Sequence, residues 1–182
     1  MLYIMRHGQT EWNVLRKLQG RTDIPLNEEG RRMAEEAAAE CRDTHFDVCY
    51  CSPLCRAKET AELVLAGRDV PIYFDERLVE LGFGEYEGLE NGYSDPTLPV
   101  STLFHDPEHY VATGGAESLD ELFARTGEFL EEVVEPELKQ GKDVLIMGHG
   151  AMNSAIICRI RKLPRSQYLK SVAENCRLMR LI

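Results

Sequence analysis

Two short segments of the sequence place a histidine directly after an apolar run and directly before a glycine. They are Arg6-His7-Gly8 near the N terminus and His149-Gly150 in the segment LIMGHG. A neutral imidazole, whose unperturbed pKa is about 6.5, is a competent nucleophile near pH 7. The glycines beside the histidines, Gly8 and Gly150, would let the backbone approach an anion closely. The two segments therefore predict nucleophilic chemistry on an anionic electrophile, with Gly150 among the groups that contact it.

Two arginines accompany these histidines. Arg6 precedes His7, and Arg56 lies in SPLCRAKETA, just after another apolar run. Guanidinium groups match phosphate oxygens in a bidentate geometry, and they offset the charge that repels a nucleophile from a phosphoryl group. The set predicts phosphoryl transfer. The alternative for Arg56 is a simple ion pair with Glu59 or Glu62 on its own helix.

A proton donor for the leaving oxygen is also needed, and the segment RLVELGFGEYEG supplies Glu80. Repulsion from phosphate charges stabilises the proton of a nearby carboxyl group, so Glu80 can act as a general acid near neutral pH. Glu85 and Glu87 are the neighbouring alternatives.

The elements that must position these groups alternate along the chain. Short apolar runs predict strands at residues 2–5, 48–51, 71–74 and 143–147, with a further strand near 176–182. Amphipathic or capped segments predict helices at residues 27–42, 54–66, 118 to about 140, and 151–162. Pro136 should bend or break the third of these helices. Alternation of strand and helix predicts an α/β fold, a three-layer sandwich whose mostly parallel central sheet carries helices on both faces.

In such a sheet the carboxyl ends of the strands share one edge, where ligands bind. The two histidines should therefore be neighbours there, with the first amides of the helix after His149 pointing toward the bound anion. Residues 91–116 are rich in Pro, Gly, Ser and Asp and lack clear periodicity. We expect them to form an insertion with short helical pieces that covers the site, within a single domain of residues 1–182.

Composition narrows the range of partners. The chain has 182 residues, a formal net charge of −10 and 43% hydrophobic residues. The negative charge argues against nucleic acid and anionic membranes as partners, because both require clustered Lys and Arg. No apolar run approaches the roughly 20 residues that span a bilayer, so we expect a cytoplasmic protein. The expected partners are a small phosphorylated substrate and inorganic phosphate, with a homodimer left open.

Two clusters of side chains raise the question of a metal. Cys49, Cys51 and Cys55 are close in sequence, but no CxxC pair occurs and neighbours on a strand point to opposite faces. All six cysteines are expected to be free thiols. His105 and His109 are four residues apart in a loop-like context without a clear third ligand, so a solvated surface is favoured there. We predict no metal site.

A family resemblance strengthens this interpretation. The run Arg6-His7-Gly8-x-Thr10-x-x-Asn13 resembles the signature of the histidine phosphatase superfamily, the phosphoglycerate-mutase-like proteins. It is followed in order by SPLCRAKETA, ELGFGEYEG, GGAESLDEL and GHG, each similar to a family block, so the resemblance extends over nearly the whole chain.

The resemblance implies roles for individual residues and no metal or organic cofactor. His7 would be the phosphorylated nucleophile and Glu80 the proton donor. The phosphate pocket would consist of Arg6, Arg56 and His149. Asn13 matches a further phosphate contact of the family, and Gln19-Gly20 falls where mutases contact their substrate.

Within this family, the details favour a phosphatase. Thr10 and the run Glu80-Leu81-Gly82-Phe83-Gly84 look like the phosphatase branch, whereas cofactor-dependent mutases resemble RHGxS and ERHYG at these places. We therefore expect a phosphomonoesterase of the histidine acid phosphatase type that hydrolyses a small metabolite through phosphohistidine. The alternatives are a cofactor-dependent phosphoglycerate mutase and a phosphate-binding regulatory protein without turnover.

Overall fold

The fold is described from a computed structural model, which covers residues 1–170 and 172–182. In chain order the elements are β1 (Leu2–Arg6), α1 (Glu11–Val14), α2 (Glu28–Glu40), β2 (Val48–Cys51), α3 (Cys55–Val64), β3 (Ile72–Phe74), α4 (Thr102–His105), α5 (Leu119–Phe129), α6 (Glu135–Lys139), β4 (Val144–Gly148), α7 (Gly150–Arg161) and β5 (Met179–Arg180). Single 3-10 turns occur at Glu76–Leu78, Gly84–Tyr86, Pro99–Ser101, Pro107–His109 and Arg165–Gln167, and a π-helical segment at Leu130–Val134.

The strands form one sheet in the order β3-β2-β4-β1-β5. The first four are mutually parallel, and β5 pairs antiparallel with β1. The central strand β4 is buried along its whole length, which explains its unbroken apolar sequence. Tyr73 and Phe74 on the edge strand β3 are exposed.

Helices cover both faces of the sheet, as predicted. Alternate side chains of β4 point to opposite faces: Ile146 packs into a core with α5 and α7, whereas Leu145 and Met147 pack with α2 and α3. The predicted three-layer α/β architecture with a mostly parallel sheet is therefore confirmed. None of the helices in the described part of the chain is long and apolar enough to cross a membrane.

Several element boundaries differ from the sequence predictions. The last strand, predicted over 176–182, is reduced to Met179–Arg180, because Cys176 has a left-handed backbone conformation (φ 57°) that interrupts an extended run. The helix expected over 54–66 spans Cys55–Val64. In the long helix that begins after Ser118, regular α-helical bonding gives way to the π segment just before Pro136, because proline lacks the N–H and clashes with the preceding turn.

The segment at 91–116 contains the expected short helical pieces, α4 and two 3-10 turns. Val100 and Leu103 anchor it in the core. Its Tyr93 and Phe104 side chains line a cavity that also contains His7, at the carboxyl edge of the sheet. The sequence did not predict α1, which begins at Thr10 with a capping box closed by Asn13.

Candidate active site

The register of the sheet brings the two histidines together. β1 and β4 pair so that Arg6 lies opposite Gly148, and the His7 amide donates to the Gly148 carbonyl at 2.9 Å. His7 and His149 are the residues that follow directly after this pair. Their ring centroids are 5.2 Å apart, with an angle of 58° between the ring planes. The adjacency expected from the repeated strand-His-Gly pattern is thus present.

His7 is held in one tautomer. Its Nδ1 lies 2.6 Å from the Gly8 carbonyl oxygen, which can only accept a hydrogen bond, so Nδ1 carries the proton and Nε2 keeps a free lone pair. The side chain is buried, and burial lowers the pKa of His7 well below its ordinary value, with further lowering by the charges of Arg56 and Arg6. The imidazole is therefore neutral near pH 7 and nucleophilic at Nε2.

His149 is held at its other nitrogen. Its Nε2 lies 2.7 Å from Ser52 Oγ, and that hydroxyl oxygen also accepts the Leu54 amide at 3.3 Å. When the Ser52 hydroxyl donates to Nε2, the proton of the neutral ring lies on Nδ1. Nδ1 is buried and has no partner among the described residues. Burial, followed by the charges of Arg56 and His7, lowers the pKa of His149 well below its ordinary value.

Arg56 is fully buried and points its guanidinium into the site. Nη1 donates to the Thr22 carbonyl at 2.9 Å and Nη2 to the Gly20 carbonyl at 2.7 Å, whereas Nε has no partner among the described residues. The alternative ion pair with Glu59 or Glu62 is absent from the described chain: Glu59 pairs with Arg31 at 2.5 Å, and no carboxylate oxygen of Glu62 lies within 4.0 Å of Arg56.

Arg6 shares this lack of counterions. Among the described residues, no carboxylate oxygen lies within 4.0 Å of Arg6 or Arg56, and the Arg6 Nε is also buried without a partner. Burial lowers the pKa of both arginines, an effect opposed by the negative charge of Glu80. A guanidinium nevertheless stays protonated in proteins. The two positive charges are available to an anion.

The Glu80 carboxylate bonds backbone amides that the sequence analysis assigned to the bound anion. Its carboxylate accepts the amides of Met152 at 2.8 Å, Leu81 at 2.9 Å and Ala151 at 3.1 Å. The Ala151 and Met152 amides of α7 are therefore used by Glu80, which corrects the expectation that the first amides of this helix point toward the bound anion. Because both carboxylate oxygens are held by backbone donors, Glu80 has a fixed position at the cavity wall.

The two alternatives to Glu80 have other surroundings. Glu87 accepts the backbone amides of Arg21, Thr22 and Phe83, so it fixes a loop. Glu85 is exposed, and neither residue is among the described residues that line the cavity beside His7.

The cavity has a volume of about 400 Å³. Most of the predicted site residues line it, namely Arg6, His7, Asn13, Gln19, Gly20, Arg56, Glu80 and Gly150. His149 is fully buried beside His7 and is not part of the wall. The side chains of Asn13 and Gln19 are both oriented by Thr10, which donates to Gln19 Oε1 at 2.8 Å and whose amide donates to Asn13 Oδ1 at 2.9 Å.

The role expected of Gly8 needs correction. A Cβ added to Gly8 would lie 2.5 Å from the Gly30 carbonyl oxygen, and a Cβ on Gly30 would lie 2.1 Å from the Gln9 carbonyl oxygen. The two glycines let the N-terminal turn of α2 pack directly on the loop after His7. Gly8 serves this close packing, and its amide donates to Thr60 Oγ1 at 3.0 Å. Gly150 does line the cavity, where a Cβ would lie 3.4 Å from Arg6 Cζ.

The groups considered for a metal do not assemble. All six cysteines are free, and burial raises the pKa values of Cys49 and Cys51. His109 is exposed and bonds Asp106 at 2.9 Å. Within residues 1–170 and 172–182, no group of three or more His, Cys, Asp or Glu side chains could hold a metal ion.

Sequence reasoning missed several residues that support the site. Ser52 holds His149, and Asn175 donates to the His7 carbonyl at 2.6 Å. Arg125 donates to the backbone carbonyls of Val79 at 2.8 Å and Glu80 at 3.2 Å and pairs with Glu117 at 2.7 Å. Ser52 could have been predicted from the sequence, because it directly follows β2 at the carboxyl edge where the histidines lie.

Comparison with known proteins gives the family. Residues 2–182 match the profile of the histidine phosphatase superfamily (branch 1). The chain is 34% identical to a 2,3-bisphosphoglycerate-dependent phosphoglycerate mutase of Cytophaga hutchinsonii, over 90% of this chain and 78% of that protein. It is 35% identical to the uncharacterized phosphatase PhoE of Bacillus subtilis, over 86% of this chain and 75% of that protein.

A solved structure agrees with these relatives. The fold superposes on Bacillus stearothermophilus YhfR with a TM-score of 0.86 at 32% identity, covering 97% of this chain and 88% of that one. The relatives thus include both a mutase and a phosphatase. With the profile matched over nearly its whole length, this chain belongs to the histidine phosphatase superfamily, whose members are phosphatases and mutases.

Proposed function

We propose that the protein is a phosphomonoesterase that hydrolyses a small phosphorylated metabolite through a phosphohistidine intermediate on His7. The observation that carries the proposal is the state of His7: a neutral, buried imidazole with Nε2 free, beside two guanidinium groups without carboxylate partners. A neutral nucleophile beside two positively charged guanidinium groups suits attack on a phosphate monoester.

The reaction would proceed in two displacements. His7 Nε2 attacks phosphorus in line, an N–P bond forms, and the bond from phosphorus to the leaving oxygen breaks while Glu80 gives that oxygen its proton. Water then gives a proton to Glu80 and attacks the same phosphorus. The N–P bond breaks, its electron pair returns to Nε2, and inorganic phosphate leaves. His7 is then neutral and Glu80 protonated, as at the start.

The surrounding residues would bind the transferred group. Arg6 and Arg56 would neutralise the phosphoryl oxygens, and the Nδ1–H of His149 would supply one more buried donor. Asn13, Gln19, Gly20 and Gly150 would form the rest of the pocket as the resemblance implies. The chemistry needs no metal or organic cofactor.

A phosphoglycerate mutase is the second candidate, favoured by the mutase among the relatives. A mutase returns the phosphoryl group to another oxygen of a bound sugar acid and must keep water away from phosphohistidine. The choice between the two depends on which acceptor reaches the intermediate first.

Phosphate release from a panel of phosphorylated metabolites, measured in EDTA, tests the proposal. We expect hydrolysis of at least one monoester, inhibited by vanadate, which mimics pentacoordinate phosphorus. A parallel assay follows phosphoglycerate interconversion with and without 2,3-bisphosphoglycerate. Interconversion that depends on the bisphosphate, with little phosphate release, would identify a mutase. Phosphate binding without either reaction would identify a binding protein.

A further inference from the structure

One side of the cavity is formed by α1, the turn after it and residues 91–116, called the covering segment below. This side carries positive charge that phosphate chemistry at His7 does not use. Arg16 and Lys17 line the cavity together with Trp12, Tyr93 and Phe104. The basic residues in the cavity wall are Arg6, Arg16, Lys17 and Arg56, whereas its acidic residue among the described ones is Glu80. Arg6 and Arg56 suffice for one phosphoryl group, so Arg16 and Lys17 leave a positive excess.

Arg16 is placed in the cavity by a specific backbone conformation. Its φ is 54°, in the left-handed region that an arginine seldom adopts. This reverses the chain after α1, so that the Arg16 carbonyl accepts the Asn91 amide at 2.9 Å and Lys17 forms an antiparallel bridge with Glu90. The loop after the nucleophile is thereby joined to the start of the covering segment, with the Arg16 side chain at the cavity.

The charge of Arg16 is not neutralised within the described chain. Its Nε donates to the Tyr93 hydroxyl at 2.7 Å, its guanidinium lies 5.5 Å from the centre of the Tyr93 ring, and no described carboxylate oxygen lies within 4.0 Å. Lys17 is only loosely paired, with Glu90 at 3.8 Å. A phenol orients a guanidinium without cancelling its charge. Because Arg16 is exposed and lines the cavity, its charge is available to a ligand there.

We infer that Arg16 binds a second anionic oxygen group of the substrate, a carboxylate or a further phosphate, carried on a leaving group whose apolar or planar body packs against Trp12, Tyr93 and Phe104. The inference rests on the proposed function and specifies its substrate class. The substrate is then a phosphomonoester with two anionic ends, one at Arg6 and Arg56 and the other at Arg16.

Binding can be measured without turnover, because Trp12 is the sole tryptophan of the chain and lies in the cavity wall. Three non-hydrolysable probes are titrated against its fluorescence: benzylphosphonate, (4-carboxybenzyl)phosphonate and p-xylylenediphosphonate. They share one phosphonate and one ring and differ in the second group. We expect the two probes with a second anionic group to bind about three- to fivefold more tightly than benzylphosphonate, as for a charge pair with an exposed side chain. Because the diphosphonate can bind through either end, its affinity is divided by two before the comparison. Whichever of the carboxylated probe and the diphosphonate then binds more tightly identifies the second anionic group.

Arg16→Gly is the decisive variant, since glycine accepts the left-handed backbone and removes the side chain alone. It should abolish the preference for the second anion and leave benzylphosphonate affinity within about twofold, a negligible change on the scale of a charged contact. Arg42→Ala, which removes the same charge from an exposed turn before β2, should keep the preference. Rising KCl should weaken the carboxylated probe more than benzylphosphonate.

The outcomes separate this inference from the proposed function. Equal affinities for the three probes, or a preference that survives in Arg16→Gly, would overturn the inference even if the enzyme hydrolyses monoesters. A preference that depends on Arg16, found together with no hydrolysis of any monoester, would overturn the proposed function and leave a binding site for doubly anionic ligands.

Discussion

The segments around His7 and His149 have the same strand-histidine-glycine sequence but hold opposite nitrogens of the ring. At His7 the local carbonyl of Gly8 fixes Nδ1 at 2.6 Å and frees Nε2. At His149 the distant hydroxyl of Ser52 bonds Nε2 at 2.7 Å, and Nδ1 has no partner among the described residues. The first ring therefore presents a lone pair, which suits attack. The second ring, when Ser52 donates to its Nε2, presents an N–H that suits binding of phosphoryl oxygens.

The difference shows that a repeated motif determines position and its partners determine chemistry. The parallel register brings both rings to the same level of the sheet. What separates their roles is the hydrogen bond that each ring makes, one to the adjacent residue and the other to a residue 97 positions away. Removing each group in turn tests whether the two histidines are as unequal as their hydrogen bonds indicate.

The largest effect is expected from His7→Ala. Loss of the nucleophile should lower kcat by at least about 10⁴-fold, as for nucleophiles that form covalent intermediates. Rapid quenching with labelled substrate should trap an acid-labile, base-stable phosphoenzyme in the unmodified protein and none in the variant. Hydrolysis at the unmodified rate in His7→Ala would contradict the phosphohistidine mechanism.

His149→Ala should cost less, about 10²- to 10³-fold in kcat, the range for loss of one buried donor to a developing charge. In contrast to His7→Ala, this variant should still form phosphohistidine, more slowly, in the same trapping experiment. His105→Ala, an exposed histidine of the covering segment, is the control and should leave the rate unchanged. If His149→Ala formed no phosphoenzyme at all, the division of roles between the rings would be wrong.

Both histidines should also make stability depend on pH in the same direction. Their pKa values are lowered in the folded protein by burial and by Arg6 and Arg56, so below pH 6.5 the unfolded chain takes up protons that the folded chain does not. Stability is therefore fully present above about pH 6.5 and falls as the pH decreases, by about 1.4 kcal/mol per histidine at pH 5.5. The negative charge of Glu80 opposes the lowering of the pKa values of the two arginines that face these histidines.

Urea unfolding at pH 7.5 and 5.5, in buffers without phosphate, measures this effect. His7→Asn and His149→Asn should each reduce the loss of stability between the two pH values by about 1.4 kcal/mol. The control His109→Asn should not reduce it, because the pKa of His109 is raised by Asp106 and its contribution has the opposite sign. Equal pH dependence in all three variants would mean that the buried rings titrate normally.

Much of the fold and the composition of the site can be predicted from the sequence. The unbroken apolar runs of β1 and β4 and the capped helices between them determine a parallel sheet, and the parallel sheet brings His7 and His149 to one edge. Residue types then indicate the chemistry: two imidazoles, Arg6 and Arg56 fit a phosphoryl group.

The contacts that finish the site could not be predicted in this way. The bonds from Ala151 and Met152 to Glu80, and from Ser52 to His149, join residues more than 70 positions apart and depend on side-chain positions in the packed structure. The left-handed conformation of Arg16 could not be predicted either, because arginine does not favour this region of backbone conformation. Local pattern reveals elements and edges, whereas donor and acceptor geometry arises from the packing between them.

The smallest effect, and the finest test of the comparison, is expected from Ser52→Ala. Without the hydroxyl, the His149 ring can move its proton to Nε2 and turn an acceptor toward the phosphoryl group, so we expect about a fivefold loss in kcat/KM and weaker inhibition by vanadate. Ser154→Ala is the matched control: this serine is also buried, but its hydroxyl bonds the Gly150 carbonyl within α7. Because the two variants delete the same atom from equally buried sites, a loss of equal size in both would trace the effect to packing and would remove the tautomer of His149 from the account of the site.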